Sequence, residues 1–569
     1  MDKRWVINTP GDYKKVENLA KELNISEVLA NMLIHKNIDT FDKAKTFFRP
    51  SLNDLHDPFL MKGMNLAVNR LNAAIKNNEK ILIYGDYDVD GTTSVALVYS
   101  YLSKYYGNID YYIPDRYSEG YGISITGIDF AKENDFSLII ALDCGIKAVD
   151  KIDYANEKNI DFIICDHHLP DDVIPNAVAV LDAKQHDCNY PYKDLSGCGV
   201  GFKFMQAFAV NNNIKATEIY DYLDLVAISI ACDIVPITGE NRVLAFFGVK
   251  KINNNPTPSV KALKEVSGIR DKDVNIREIV FKIGPRINAA GRIESARQSV
   301  DLLIAKNYTD AINFAKKIDD INTERKEIDH DITEEALKTI IDSTELQNKK
   351  TTVLYNPEWS KGVIGIVASR LTETYFRPTI ILTESAPGMA SGSARSVPGF
   401  NLYDAVDHCS HLLEGFGGHM YAAGLTLKIE NIKEFTKCFE SYVNEHITED
   451  QLIPQIDVDS VINLDDIDQK FFNVLNQFAP FGPGNMHPVF VARDVKNSGR
   501  SKIVGKDSTH LKVSIVQGTK IVDGIAFGMG DKYELIKDKK PFDICFTIDK
   551  NEFNGRTSIQ LSVKDIVVD

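Results

Sequence analysis

Lys80-Ile81-Leu82-Ile83-Tyr84-Gly85-Asp86-Tyr87-Asp88-Val89-Asp90-Gly91 is the stretch that decides the fold. A short apolar run breaks at Gly85 into three carboxylates at alternate positions. The same figure recurs down the chain. Phe136–Leu142 ends in Asp143, Asp161–Cys165 ends in Asp166-His167-His168, and Ala177–Leu181 ends in Asp182. Helical patterns separate the runs, from Ile125 to Asn134 and from Lys147 to Asn159. Apolar strands alternating with helices read as a parallel α/β sheet. The carboxyl ends of parallel strands share one edge, so these acids and imidazoles can converge there.

Three carboxylates so close raise one another's pKa and repel unless a cation neutralises them. Oxygen and imidazole ligands without cysteine suit manganese or magnesium rather than structural zinc. Bridging carboxylates allow a two-metal centre, which clamps the attacking and leaving oxygens of a phosphoryl displacement. Cys144 and Cys165 adjoin candidate ligands, but neighbours on an extended backbone point to opposite faces, so both are expected in the core. One Asp after a strand is ordinarily a turn residue or a helix cap. DxDxDG alone resembles part of a calcium loop, without the Glu of an EF-hand. The metal reading rests on the conjunction at three successive strand ends.

The chain has 569 residues with 65 Lys+Arg against 80 Asp+Glu, a net charge of −15. With 44% hydrophobic and 25% charged residues it is not collagen-like, low-complexity or wholly disordered. The acidic balance argues against coating nucleic acid by bulk positive charge, though not against a local basic groove. No apolar run reaches signal-peptide or membrane-span length. The 8 cysteines form no CxxC pair, so no zinc knuckle or thioredoxin motif is indicated. A cytoplasmic protein with reduced thiols is expected.

Beyond the first pattern, residues 305–345 carry apolar positions spaced by three and four among dense charge. They predict one long exposed helix bridging two domains, with Arg325 and Asp329 four apart on one face. A second α/β pattern runs from Thr351 to about His446. From about residue 453 short β-rich runs follow (HLKVSIVQ, KIVDGIAF, FDICFTID), suggesting a small barrel or sandwich. Phe478, Phe481 and Phe490 there are either base-stacking aromatics or core.

DYDVDG, ALDCG and DHH, in this order, resemble the DHH phosphoesterase superfamily. SGCGVGFK at 196–203, ACDIVP at 231–236 and GPRINAAGR at 284–292 resemble its RecJ family of exonucleases, which degrade single-stranded DNA from the 5′ end. GVIGIVASRL, GSARSVPGFNL and GGHMYAAG resemble the DHH-associated domain, and PFGPGNMHPVF the start of the family's OB fold. The likeness covers residue 50 to the C-terminus. It implies an α/β multidomain protein: an N-terminal helical segment (1–50), a parallel-sheet DHH catalytic domain (51–305), a long linking helix (306–345), a second α/β DHH-associated substrate-binding domain (346–450) and a C-terminal OB-fold β-barrel that binds DNA (451–569).

The resemblance also implies roles by position. Asp88, Asp90, Asp143, His167 and Asp233 match metal ligands, with Asp86 and His168 beside them in the catalytic set. Asp233 has no signal of its own, since an Asp before Ile-Val-Pro reads as a helix end. Some relatives carry a His four residues before Asp88, where this chain has Tyr84. Arg116, Ser393 and Arg395 match recognition of a 5′ phosphate. Arg286, Asn288 and Arg292, read as a Gly-bounded loop, match contacts to the adjacent backbone. Gly418 and His419, in a Gly-rich turn, complete the substrate-binding set. The implied cofactors are two divalent metal ions, manganese first and magnesium second. The implied partners are single-stranded DNA and, at family level, single-strand-binding protein and a helicase. The rival reading is a phosphodiesterase of the same superfamily for cyclic dinucleotides or short oligonucleotides. Another is a catalytically silent DNA-binding scaffold.

Overall fold

Asp12, Ser26 and Thr40 each accept a backbone N–H from three residues further on, and each starts a helix: α1 (Tyr13–Leu23), α2 (Glu27–His35) and α3 (Phe41–Phe48). Each such cap is worth about 1 kcal/mol, and together they define the N-terminal segment. The structure is a computed structural model that describes residues 3–538, 540–553 and 556–568. It divides into two compact units. The larger gathers residues 6–291, 295–318 and those from 457 onward; the smaller is chiefly residues 319–456, with 292–294.

In the larger unit, β1 (Lys80–Gly85), β2 (Ile109–Tyr112), β3 (Phe136–Leu142), β4 (Asp161–Cys165) and β5 (Ala179–Leu181) form a parallel sheet in the order β2-β1-β3-β4-β5. Both faces are covered, which is why the strands read as unbroken apolar runs. Ile81, Ile83, Ile140, Ile163 and Cys165 pack on one side with α4 (Val89–Leu102). Leu82, Tyr84, Ile139, Ala141 and Ile164 pack on the other, against α5 (Ile125–Glu133) and α6 (Val149–Glu157). Helices α7 (Gly197–Asn211) and α8 (Leu223–Cys232) join the first face, and α9 (Gly239–Asn254) follows. The strand order reverses direction between β1 and β3, and the crevice at such a switch point is where ligands bind in open α/β sheets. Cys144 and Cys165 are both buried in these cores, as expected.

Two local expectations are corrected here. Residues 284–292 are not a loop: Gly284–Ile293 is helix α10, entered through a π-helical turn at Ile279–Ile283. Its glycines serve helix packing, with Gly284 against Cys232 and Gly291 against Tyr87. The long helix is present as α11 (Tyr308–Ile341, 34 residues), but Arg325 and Asp329 do not face solvent. Asp329 is fully buried and is paired with Arg325 at 3.7 Å and with Arg370 at 2.7 Å. Charge spacing marks a helix face but not what covers it.

The smaller unit holds a five-stranded sheet in the order β9-β10-β8-β7-β6. Its strands are β6 (Thr352–Tyr355), β7 (Thr379–Ala386), β8 (Met389–Arg395), β9 (Gly415–His419) and β10 (Ala422–Lys428). Helix α12 (Ile364–Tyr375) packs on it. Gly417-Gly418-His419 is therefore the end of strand β9 rather than a turn; the turn is Met420-Tyr421.

The C-terminal strands are β11 (Ser460–Val461), β12 (Phe490–Asn497), β13 (Lys502–Val504), β14 (His510–Gln517), β15 (Lys520–Ala526), β16 (Phe542–Phe553) and β17 (Arg556–Val567). Pairing runs β12-β16-β17-β15-β14, and β14 pairs back to β12, closing a five-stranded barrel. Phe478 and Phe490 are fully buried in its core, which makes them packing residues, and Phe481 is half-buried against it. Val16, Leu19, Leu29 and Leu33 from α1 and α2 share that core. The N-terminal helices thus wrap the barrel. Among the described residues no helix is long and apolar enough to cross a membrane.

Candidate metal centre

Asp86, Asp88 and Asp90 follow β1, Asp143 follows β3, and Asp166-His167-His168 follow β4. The sheet therefore delivers them to one edge at its switch point. Asp88 caps α4 by accepting the Gly91 N–H at 3.0 Å. Position 91 has to be glycine, because a Cβ there would lie 2.3 Å from the Asp86 carbonyl oxygen. Asp90, buried in the first turn of α4, accepts the N–H groups of Gly197 (2.7 Å) and Cys198 (2.8 Å) and the Ser229 hydroxyl (2.7 Å). The positive end of α7 thus fixes this carboxylate in place. Gly197 is also fixed by space: a Cβ would stand 2.6 Å from Asp143 Oδ1.

His167 is the point of convergence. Its Nε2 lies 3.1 Å from Asp143, 3.5 Å from Asp233 and 3.7 Å from Asp90. Among the described residues neither ring nitrogen finds a hydrogen-bond partner, although both are buried. Burial, helped by His168 and Lys184 and opposed by Asp90 and Asp166, holds its pKa below the usual imidazole value. Burial and then Asp90 push the Asp143 carboxyl well above the usual range, and lift Asp233 to about 9. Asp86 is raised by burial and Asp88, and Asp88 by burial and Asp90. Crowded carboxylates around a neutral imidazole with unused nitrogens fit a divalent cation. Ligand atoms of Asp90, His167 and Asp233 lie within 4.8 Å of one another, as do those of Asp143, His167 and His168.

Asp166 has a different task. It accepts the Ile146 N–H on one oxygen and the N–H of His167 and Nδ1 of His168 on the other. Burial opposes its ionisation, but His168 outweighs that and brings it to about 2. Burial likewise pulls His168 down, while Asp166 lifts it to about 9. Nε2 of His168 is bonded to the Tyr121 hydroxyl at 3.1 Å. His168 is thus an oriented, cationic group beside the cluster. Asp233 closes the set from the C-terminal end of α8, and Tyr84 stands apart from it. The Tyr84 ring is buried on the opposite face, stacked on Tyr112, with its hydroxyl donating to Gly122 O at 2.9 Å.

The sequence left several supporting groups unseen: Ser229 and the amides of residues 197 and 198 on Asp90, Tyr121 on His168, and Lys184 near His167. Only SGCGVGF carried a signal, a capped glycine-rich helix start.

Of the substrate-binding candidates, Arg116 lies at this edge. Its guanidinium covers the Tyr87 ring at 4.1 Å and bears electrostatically on Asp86 and Asp88. On α10, Arg286 donates to the carbonyls of Lys282 and Val266, and Asn288 is half-buried. In the smaller unit, Arg292 donates to Gly362 O. There Arg395 donates to Ser393 Oγ at 3.0 Å beside the start of α12, where a Cβ on Gly365 would come within 3.1 Å of its guanidinium. Arginine, hydroxyl and helix N-terminus together suit an anion. Arg395, Ala422 and His419 occupy one row across β8, β10 and β9, which puts exposed His419 about 10 Å away on the same face. Gly418, at φ +153°, leaves no room for a Cβ against Ala422 O.

Comparison with known proteins agrees with this geometry. The DHH family N-terminal domain matches residues 80–230, the DHHA1 domain 348–445 and the RecJ OB domain 458–565. The Bacillus subtilis single-stranded-DNA-specific exonuclease RecJ is 37% identical over 99% of this chain and 71% of its own length. The chain belongs to the RecJ family. The crystal structure of Thermus thermophilus RecJ in complex with Mn2+ shares the fold, with a TM-score of 0.84 at 23% identity over 100% of this chain and 80% of that one. A structure of exonuclease RecJ bound to manganese has a TM-score of 0.60 at 27% identity, covering 70% of this chain and 98% of its own. The RecJ-type OB domain is the closed barrel described above.

Proposed function

We propose that this chain is a metal-dependent exonuclease that hydrolyses single-stranded DNA from the 5′ end to 5′ mononucleotides, in DNA repair and recombination. The observation that carries the proposal is the convergence of Asp90, Asp143 and Asp233 on His167, whose buried nitrogens have no hydrogen-bond partner among the described residues. Asp88, Asp90, Asp143, His167 and Asp233 would hold two divalent cations, manganese or magnesium, as related RecJ structures are described in complex with one or the other. Bound there, such cations supply Lewis-acid stabilisation of a phosphoryl group and lower the pKa of attacking water.

The chain's own residues do the rest. Ser229 and the amides of 197 and 198 fix the orientation of Asp90. Asp166 keeps the proton on His168, which leaves a cationic ring beside the cluster to attract a phosphate. Arg116 brings a second cationic group to the same edge. Ser393, Arg395 and His419 supply an anion site for a terminal 5′ phosphate, and Arg286, Asn288 and Arg292 supply contacts to the strand's backbone. The closed barrel gives the strand a further platform. Contacts with single-strand-binding protein and a helicase are part of the proposal as family expectations.

The extent of the likeness to an exonuclease, through the barrel, favours this reading over a cyclic-dinucleotide phosphodiesterase. Purified protein with manganese, offered 5′-labelled single strands, duplex and a cyclic dinucleotide, should release mononucleotides from the single strands alone. Hydrolysis confined to the dinucleotide would sink the proposal.

A further inference from the structure

Asp233 differs from the other acids of the cluster. They lie at strand ends of one sheet or, like Asp90, in the helix turn that follows one, whereas Asp233 opens an irregular run, Asp233–Thr238, after α8. Its neighbour Ile234 has φ +60° and is 65% exposed. Left-handed backbone is unfavourable for a β-branched residue, and glycine or asparagine ordinarily follows a helix in that conformation. Such a conformation persists only where the surroundings over-determine it.

The surroundings include the C-terminal module. The Ile237 N–H donates to Pro483 O at 2.7 Å. Gly482 packs so closely that a Cβ would fall 2.5 Å from Ile237 Cδ1 and 3.0 Å from its Cγ1. A Cβ on Gly484 would fall 2.8 Å from Thr238 Cγ2. One turn into α9, buried Arg242 donates to Phe478 O (2.8 Å), Ala479 O (3.0 Å) and Phe47 O (3.1 and 3.2 Å). Asn485 ties the turn to itself through Phe478 O and Pro480 O. Segments 237–242 and 478–485 are thus held together by one backbone hydrogen bond, the Arg242 side chain and close packing at Gly482 and Gly484, four residues from Asp233.

We infer that the Phe481–Asn485 turn is a positioning element for the Asp233 carboxylate, acting through Ile237 and the strained Ile234. The barrel module then sets metal affinity as well as holding DNA. The inference rests on the metal-centre reading.

The test is Gly482→Ala in the full chain, with and without Ile237→Val, which removes the Cδ1 that the new methyl would strike. Mn2+ binding is measured by calorimetry without DNA, and single-stranded DNA binding by anisotropy in chelator. Gly482→Ala should weaken Mn2+ binding about tenfold, the scale of disturbing a ligand's support, and leave DNA binding within about twofold. The double variant should recover most of the affinity. Unchanged Mn2+ binding in Gly482→Ala, or no recovery in the double variant, overturns the inference. Should Gly482→Ala fail to fold, Ile234→Gly replaces it: relief of the backbone should keep or raise the melting temperature while Mn2+ binding weakens, and unaltered binding overturns the inference. Asp143→Ala is the control for the underlying reading. If it binds Mn2+ as the wild type does, the metal centre itself is misassigned and the inference falls with it.

Discussion

Nε2 of His167 lies 3.1 Å from Oδ1 of Asp143, although the two residues leave different strands of the sheet. Burial holds the imidazole pKa down, so at neutral pH the ring has a free lone pair to offer rather than a charge. Carboxylates from two further elements meet it there. A protein gains nothing in stability from packing such acids together, so their arrangement is explained by what they bind.

Asp143→Ala should lower kcat on single-stranded DNA by about a thousandfold or more, the equivalent of about 4 kcal/mol of lost charge stabilisation. Affinity for single strands in chelator should stay close to wild type. A variant that keeps its turnover number removes Asp143 from the centre.

Ser229→Ala takes one donor from Asp90 and leaves the two α7 amides. Loss of an outer-shell partner of this kind costs about 10- to 100-fold in metal affinity or activity. The Mn2+ concentration for half-maximal rate should rise accordingly. An unshifted metal titration with normal turnover would show that the amides alone suffice.

The metal-free protein should show a pH signature from His168. Its folded pKa of about 9 exceeds the ordinary 6.5, so its contribution to stability is fully present below pH 6.5 and is lost as pH rises through about 9. The Asp166 contribution runs the other way: present above about pH 4, and lost as pH falls through about 2. In chelator, His168→Gln should flatten the fall in melting temperature between pH 7 and 9. The same slope in variant and wild type would place that titration elsewhere.

Arg395→Ala should bind 5′-phosphorylated single strands about 10- to 100-fold more weakly, the range of about 1.5–3 kcal/mol for a hydrogen bond to a charged group. Ends with a 5′ hydroxyl should be little affected. Equal losses on both ends would make Arg395 a general backbone contact.

Much of this is legible in the amino-acid sequence. Apolar runs ending in Asp86, Asp143 and Asp166 reveal the parallel sheet and its functional edge together, because strand ends and side chains share one geometry. Asp233 is another matter: it sits at a helix end, and only tertiary packing brings it to His167. The glycines of 284–291 and 417–418 suggested loops, yet they serve close packing in a helix and in a strand. Arg325 and Asp329 read as a solvated pair because sequence shows their spacing but not Arg370, which also pairs with the buried Asp329. The net charge of −15 proved uninformative about substrate, since part of it is the acidic cluster itself. The docking of residues 481–485 onto 237–238 has no sequence signal beyond the glycines that permit it.

The metal centre can be seen directly. Crystals grown with manganese and measured at its absorption edge should show anomalous peaks among the side chains of Asp88, Asp90, Asp143, His167 and Asp233, lost in Asp143→Ala. A manganese-saturated, active protein with no peak there, or with its peaks elsewhere, would contradict the assignment.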